Sequence, residues 1–380
     1  MRKGSGTAMR VIVFSANRGY ALLSSRKNLI SRFLDDGWSV VLATADDDEA
    51  RILVDMGAVL EPVQFKRGGF SLLGDLKASR RLHQVMERWK PSIVHFFHAK
   101  PVIMGTLASR KVLGKRVRIV NTITGLGHAF ILGGLVTYLA SAGYRKALPK
   151  ADLTIFQNRD DRSLFISKRW LSEERSVLIL GSGISLNQFV YMDRSLHSIE
   201  TPKIVMLGRL INQKGLPEFI EVARRVKGKI PGARFLWAGE VDAVHPDAVD
   251  MKWLQSQKDI EYVGRLKDVK ALLNSADILL FPSYREGVPR AIMEAAASGL
   301  PTVAFDVPGV REAVCNKQTG FLVQDRNVEQ MTQRVIQLLE DKDLRLRMGR
   351  NAADLAKETF DIRAVQEAYL NTYRKLGVEI

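Results

Sequence analysis

The chain has 380 residues, which is too long for one compact domain and a natural size for two. It is 46% hydrophobic and carries a formal net charge of +16. The single cysteine, Cys315, excludes a disulfide framework and a cysteine-based metal site, and it indicates a reducing compartment. No uncharged run reaches the ~20 residues that a membrane-spanning helix needs.

In the first half of the chain, short apolar runs alternate with helical patterns. We expect no cleavable signal and a flexible extension over residues 1–8. The alternation predicts a doubly wound parallel sheet, in which ligands gather at the carboxyl ends of the strands. The loops there span residues 17–19, 98–101 and 124–128. The predicted strands are 11–14, 39–43, 93–97, 118–121 and 154–157, with a helix at 24–36.

A second series of strands and helices follows a polar stretch at about residues 184–201. Its predicted strands are 203–208, 235–238 and three more that end before Gly264, Pro282 and Asp306. The chain is then helical from residue 328, and residues 360–376 predict a terminal helix that packs back across the cleft. We therefore expect one Rossmann-like domain over residues 1–190, a second over 191–358, and a C-terminal helix over 359–380 that returns to the first.

The predicted turn and helix at residues 282–297 have the features of a phosphate site. Pro289 suits the first position of a helix predicted at 291–297. The backbone N–H groups of Gly287, Val288 and Arg290 then have no partner within the helix. That end carries roughly +0.5 of a charge, which favours a phosphate.

Two glutamates flank this turn. Glu286 lies in the loop, where it could contact a bound sugar, and Glu294 lies in the helix, where it could accept two ribose hydroxyls. The equally plain alternative makes Glu286 a partner of the helix dipole and Glu294 a solvated helix residue.

Two further loops follow predicted strands of the second half. Gly208 permits a close backbone approach, and Arg209 and Lys214 place two cations that suit a diphosphate, unless they are ordinary surface charges. The backbone amides of Gly309 and Val310 could face phosphate oxygens as well. Their neighbours Arg311 and Glu312 could simply pair with each other.

Other polar clusters have plainer explanations. Residues 46–48 match a D-x-D metal pattern, but they open a helix, where acidic residues stabilise the N-terminus. The acidic residues and histidine within 240–247 have no fixed metal spacing and predict a variable loop. His95 alternates with apolar residues and predicts a buried structural side chain, whereas His98 at the strand end is the better site candidate.

The positive charge is concentrated in the first half. Residues 1–190 contain 29 Lys and Arg against 15 Asp and Glu, a net +14, whereas residues 191–380 have 28 against 26, a net +2. This asymmetry predicts an anionic partner for the first half. Nucleic acid and an acidic membrane are both candidate partners. The apolar, helical pattern at 129–147 fits either a membrane contact or core packing.

The motifs G-R-L-x-x-x-K-G at 208–215 and E-G-V-P-R-A-I-M-E-A at 286–295 resemble the retaining glycosyltransferases of family GT4. These enzymes have two facing Rossmann-like domains, the GT-B fold, and an E-x7-E signature. Within the family the chain is most similar to bacterial enzymes that extend a sugar on undecaprenyl diphosphate, for O-antigen, capsule or N-glycan precursors. Residues 98–100, 124–127, 156–158 and 181–184 carry that similarity.

The resemblance implies roles for individual residues and a first domain that binds the acceptor. Arg209 and Lys214 would neutralise the donor diphosphate, Glu286 would contact the sugar, and these three are the expected catalytic residues. Many relatives carry a histidine where this chain has Thr124 and Gly125. The expected donor-binding residues are Gly208, Glu294, Gly287, Val288, Pro289, Arg290, Gly309, Val310 and Gly19, and the acceptor-side candidates are Asn17, Arg18, His98, Lys100, Thr124 and Gly125.

The implied reaction moves a hexose or N-acetylhexosamine from a UDP-linked donor to a polyprenyl-diphosphate-linked saccharide, with retention. We expect no metal or other cofactor, no nucleic-acid partner, and a peripheral location on the inner face of the cytoplasmic membrane. A nucleotide-sugar epimerase or hydrolase of the same fold is the alternative. A basic nucleic-acid-binding protein ranks last, because the chain lacks a recognition motif.

Overall fold

The computed structural model describes residues 10–66, 71–131, 133–195, 201–243, 245 and 247–380. The extension predicted at 1–8 lies outside these residues, as does part of the junction predicted at 184–201. The strands are β1 Val11–Ser15, β2 Ser39–Thr44, β3 Val59–Pro62, β4 Ile93–Phe97, β5 Arg118–Ile123, β6 Leu153–Phe156, β7 Ser176–Leu178, β8 Lys203–Leu207, β9 Arg234–Ala238, β10 Glu261–Gly264, β11 Ile278–Phe281, β12 Thr302–Phe305 and β13 Gly320–Val323. The helices are α1 Gly19–Asp35, α2 Asp48–Asp55, α3 Leu72–Trp89, α4 Ala99–Leu113, α5 Gly127–Ile131, α6 Gly134–Ala147, α7 Arg159–Ser167, α8 Leu216–Lys229, α9 Met251–Ser256, α10 Lys270–Asn274, α11 Arg290–Ala297, α12 Val328–Glu340, α13 Lys342–Thr359 and α14 Ile362–Arg374.

Two parallel sheets organise the molecule. The first has seven strands in the order β3-β2-β1-β4-β5-β6-β7, and the second has six in the order β10-β9-β8-β11-β12-β13. Every residue of β1, β4 and β11 is buried, as expected when helices cover both faces of a sheet. The strand order reverses between β1 and β4 and between β8 and β11, and such switch points hold ligands in open α/β sheets.

Several predicted boundaries were wrong. Helix α1 begins at Gly19, not at residue 24. The pattern at 129–147 forms two helices, α5 and α6, instead of one. Pro289 is the N-cap of α11, with φ −70° and ψ 121°, rather than its first helical residue. Strands β3, β7 and β13 were not predicted at all.

The C-terminal helix α14 packs on the first sheet, as expected. Its Tyr369 and Tyr373 are buried together with Ile12 and Phe14 of β1. His95 lies in the same core, hydrogen-bonded through Nδ1 to the Tyr373 hydroxyl at 2.5 Å. Burial lowers the pKa of His95 well below its usual value, and nearby Arg26 lowers it further. The prediction of a buried structural histidine is confirmed.

Within the described residues, no helix combines the length and the apolar character needed to cross a membrane.

Candidate active site

The carboxyl ends of the two sheets face each other across a closed cleft. A Cβ placed on Gly125, which follows β5, would lie 2.6 Å from the backbone nitrogen of Gly287, which follows β11. One placed on Gly287 would collide with the carbonyl group of Thr124. Arg290 of α11 donates a hydrogen bond to the backbone oxygen of Ser24 in α1. The turn that precedes α11 is therefore in backbone contact with the first domain.

Lys214 and Glu286, both predicted to be catalytic, contact each other. Lys214 ends a short 3-10 turn after β8, and its Nζ donates to Oε1 of Glu286. The Ser283 hydroxyl donates to the same oxygen at 2.6 Å. The Lys214 ammonium also lies 5.9 Å from the centre of the Phe281 ring. The structure thus brings the lysine loop and the glutamate loop together at the second switch point.

Glu294 is paired within its own helix. Arg290, four residues earlier, donates to Oε1 of Glu294 from Nε at 3.1 Å and from Nη2 at 2.9 Å. Burial raises the pKa of Glu294, and the charge and hydrogen bonds of Arg290 oppose that rise. The solvated helix residue considered as an alternative is wrong, since this side chain is 12% exposed.

Arg209 and its loop are held by acidic residues that follow β9. Its Nη1 donates to Oδ2 of the buried Asp242 at 2.8 Å. The backbone N–H of Gln213 donates to the Asp247 carboxylate at 2.5 Å, and that of Leu210 donates to the Glu240 carbonyl at 2.8 Å. The prediction of an ordinary variable loop missed these contacts. The sequence signal for these contacts was that the acidic residues follow β9 directly, the strand that pairs with β8.

The loop after β12, which contains Gly309 and Val310, also contacts the loop that contains Glu286. Gly309 has φ +82°, which favours glycine, and it packs on the backbone of residues 286–287. The N–H of Glu286 donates to the Pro308 carbonyl at 3.2 Å. Val310 is fully buried. Gly208, which directly follows β8, accepts a hydrogen bond at its carbonyl oxygen from the Trp237 indole of β9 at 3.0 Å.

Arg311 and Glu312 do not pair with each other, contrary to the alternative considered above. Arg311 contacts Asp306 and, across the cleft, Asp160 at 3.2 Å. Glu312 instead accepts from the backbone and side chain of Arg159 in the first domain. Both residues therefore bridge the domains.

The acceptor-side candidates lie on the first domain. The Asn17 N–H donates to Nδ1 of His98 at 3.4 Å, which joins the loops after β1 and β4. His98 adopts φ +69°, a conformation that costs a non-glycine residue about 1–3 kcal/mol and often marks functional sites. Lys100 is paired with Asp75 at 2.7 Å.

The loop after β1 also reaches the second domain. Arg18 lies 3.8 Å from Asp47 and 3.7 Å from Glu240 of the other domain. The Gly19 N–H donates to Asp47 at 2.9 Å. Gly19 thus lies on the wall opposite the other predicted donor residues. Asp47 also caps α2 by accepting from the Ala50 N–H at 2.9 Å, which confirms that these acids stabilise a helix start.

No site role was predicted for Asn158 or Asp161, which reach from the start of α7 to the backbone and side chains beside Glu286. Among the described residues, no group of three or more His, Cys, Asp and Glu could hold a metal ion.

Comparisons with known proteins agree with this architecture. Residues 11–158 match the family described as glycosyl transferase 4-like, and residues 189–355 match glycosyl transferases group 1. The chain is a glycosyltransferase of the GT-B fold. Each match falls on one of the two sheets of the transferase. The loops with the motifs at 208–215 and 286–295 lie within the residues that match glycosyl transferases group 1.

The transferase is similar along its length to proteins of named activity. It is 27% identical to the N,N'-diacetylbacillosaminyl-diphospho-undecaprenol alpha-1,3-N-acetylgalactosaminyltransferase of Campylobacter jejuni, over 96% of this chain and 98% of that protein. It is 24% identical to the UDP-Gal:alpha-D-GlcNAc-diphosphoundecaprenol alpha-1,3-galactosyltransferase of Escherichia coli, over 77% of each chain. The structure of Anabaena HepE in complex with UDP-glucose matches with a TM-score of 0.76 and 18% identity, over 96% of this chain and 99% of that one.

Proposed function

We propose that the transferase moves a sugar from a UDP-linked donor to a saccharide on a polyprenyl diphosphate, with retention at the anomeric carbon. The observation that carries the proposal is the contact of Lys214 with Glu286 at a switch point that faces the first domain. The named activities of the Campylobacter and Escherichia relatives support the acceptor class, and the UDP-glucose in HepE supports the donor class.

The proposed chemistry depends on charge. Cleavage of the donor bond adds negative charge to the diphosphate, which Arg209, Lys214 and the start of α11 would stabilise without a metal ion. In the free transferase Glu286 neutralises Lys214. When the diphosphate takes the ammonium, Glu286 becomes available to accept a hydrogen bond from a hydroxyl of the transferred sugar.

The other donor residues surround this diphosphate position. Glu294 would accept the ribose hydroxyls, and the charge of Arg290 opposes the rise in its pKa that burial causes. Gly287, Val288 and Pro289 form the turn whose amides would face phosphate oxygens. The remaining donor contacts would come from Gly208, Gly309 and Val310 of the second domain and from Gly19 on the opposite wall.

We assign the acceptor to the wall formed by the first domain. Arg18 and His98 lie at the ends of β1 and β4, where a diphosphate linked to a saccharide could be held. Asn17 would orient His98. Lys100 and residues 124–125 would line the path from the surface.

A basic and apolar surface of the same domain supports peripheral binding to the inner face of the cytoplasmic membrane. Helix α6 exposes 71% of Leu135 and 67% of Tyr138, and it ends with Arg145 and Lys146. Its other face, with Tyr144, packs in the core. An exposed apolar face beside cations suits an anionic bilayer, where each basic residue contributes about 1 kcal/mol.

The experiment is a transfer assay with purified protein. Thermal stabilisation by UDP, GDP and ADP first identifies the nucleotide. Product formation is then measured with UDP-sugars and polyprenyl-diphosphate saccharides, and Lys214→Ala should lower turnover about 10²–10³-fold. Lys229→Ala, an exposed lysine at the end of α8, is the matched control.

The outcome separates the competing functions. Donor consumption that needs no acceptor would favour an epimerase or hydrolase. Unchanged turnover of Lys214→Ala would contradict the site assignment. Salt-sensitive binding to nucleic acid, with no binding to vesicles, would overturn the membrane role of the basic domain.

A further inference from the structure

The first turn of α7 reaches across the cleft and holds the chain on both sides of Glu286. Asn158 and Asp161 belong to the first domain, whereas Arg285, Glu286 and Gly287 belong to the second. We infer that Asn158 and Asp161 are positioning residues, which set Glu286 in its working geometry only when the two domains are closed. The inference rests on the proposed role of Glu286 in sugar transfer.

Asn158 makes two kinds of contact at once. As the N-cap of α7, its Oδ1 accepts from the Asp161 N–H at 2.7 Å. Its amide nitrogen donates to Oδ2 of Asp161 at 3.0 Å and, across the cleft, to the Gly287 carbonyl at 3.1 Å. The cap therefore orients the amide toward the residue that follows Glu286.

Asp161 holds the residue that precedes Glu286. Its side chain is 0% exposed, and it accepts a hydrogen bond from Nη2 of Arg285. Burial raises the pKa of Asp161, and the charge of Arg285 with the hydrogen bonds from Asn158 and Arg285 opposes that rise. A buried carboxylate needs its cation, so separation of the domains would leave both charges without their partner.

These contacts divide the control of Glu286 between the domains. Lys214 and Ser283 of the second domain hold its carboxylate. Asn158 and Asp161 of the first domain hold its two chain neighbours. A donor that binds the second domain alone would then meet a Glu286 whose two chain neighbours lack their partners from the first domain, and domain closure would supply those partners.

The neighbouring residue offers a matched control. Asp160 also forms a cross-cleft ion pair, with Arg311, but both side chains are substantially exposed, at 38% and 43%. Exposed pairs contribute little, because water and salt screen them. Asp160→Asn therefore removes the same charge from the same turn without touching the chain beside Glu286.

The test compares Asp161→Asn with Asp160→Asn in the full-length transferase. We expect Asp161→Asn to lower kcat at least 10-fold while the Kd for UDP, measured by calorimetry, stays within about twofold, because 1 Å of misplacement can cost ~10²-fold. Asp160→Asn should change neither quantity more than about twofold. Arg285→Lys, which keeps the charge, should retain more kcat than Arg285→Gln.

Asn158→Ser guards against a variant that fails to fold, since serine keeps the cap and removes the amide donor to Gly287 and to the Asp161 carboxylate. It should also lower kcat selectively. Wild-type kcat in both Asp161→Asn and Asn158→Ser would overturn the inference, as would an equal loss of kcat and UDP affinity. Glu286→Gln separates a failure of the proposed function from a failure of the positioning role. If Glu286→Gln keeps wild-type kcat, the proposed function fails. If Glu286→Gln loses kcat while Asp161→Asn and Asn158→Ser keep it, only the positioning role fails.

Discussion

Replacing Gly287 with alanine should separate the two domains without unfolding either one. The glycine has a backbone conformation that alanine also adopts, because no positive φ is involved. The added Cβ would point at the first domain, 2.8 Å from the Thr124 carbonyl carbon and closer still to its oxygen. Backbone atoms cannot rotate away as a flexible side chain can, so the domains themselves must move.

The size of that movement follows from the contact distances. Ordinary van der Waals contacts of a Cβ begin at 3.4 Å, so the carbonyl carbon must retreat by roughly 0.6 Å and the oxygen by more. A displacement approaching 1 Å at a reacting centre costs about 10² in rate, or ~2.7 kcal/mol in the activation barrier. We therefore expect kcat of Gly287→Ala to fall about 100-fold. Affinity for UDP should fall much less, because most of the proposed nucleotide contacts lie within the second domain.

The assay pairs steady-state kinetics with calorimetric UDP binding and small-angle scattering. Gly228→Ala is the matched control, since this glycine lies in α8 and its Cβ would meet no atom within 4 Å. That variant should keep full activity and gain up to about 1 kcal/mol of stability from helix propensity. Full activity of Gly287→Ala with an unchanged scattering profile would refute the closed backbone contact.

Three further predictions concern separate parts of the protein. Because burial raises the pKa of Glu294, UDP affinity should weaken as pH falls through that raised value and stay constant above it, and Glu294→Gln should abolish this pH dependence in calorimetry. Asp242→Asn should raise the donor KM about fivefold, by loosening Arg209 at a cost of ~1 kcal/mol, and an unchanged KM would argue against that support. Leu135→Ser with Tyr138→Ser should weaken sedimentation with anionic vesicles and leave activity on a water-soluble acceptor intact, whereas unaltered sedimentation would exclude α6 as the contact.

Much of the fold could be predicted because buried parallel strands are nearly continuous apolar runs. Strand β11 is such a run, and its predicted end before Pro282 agrees with the structure. Strand β7 has three residues, too few for a periodic signal, and β3 has only one fully buried residue among its four. The start of α1 was missed because its N-cap residue is Arg18, which makes no side-chain capping hydrogen bond.

The proximity of candidate site residues was predictable where chemistry is local in sequence. Lys214 and Glu286 were predicted as site residues from short motifs, and the structure brings their loops together. Contacts between domains carried no such signal, since Asp161 and Arg285 lie 124 positions apart. Domain closure, rather than any local pattern, brings those side chains together.

A crystal structure of the transferase with UDP tests the central claim most directly. The account predicts diphosphate oxygens within about 3 Å of the Lys214 ammonium and the Arg209 guanidinium, facing the first turn of α11, with Lys214 displaced from Glu286. A diphosphate held elsewhere, or through a bound divalent cation, would contradict it.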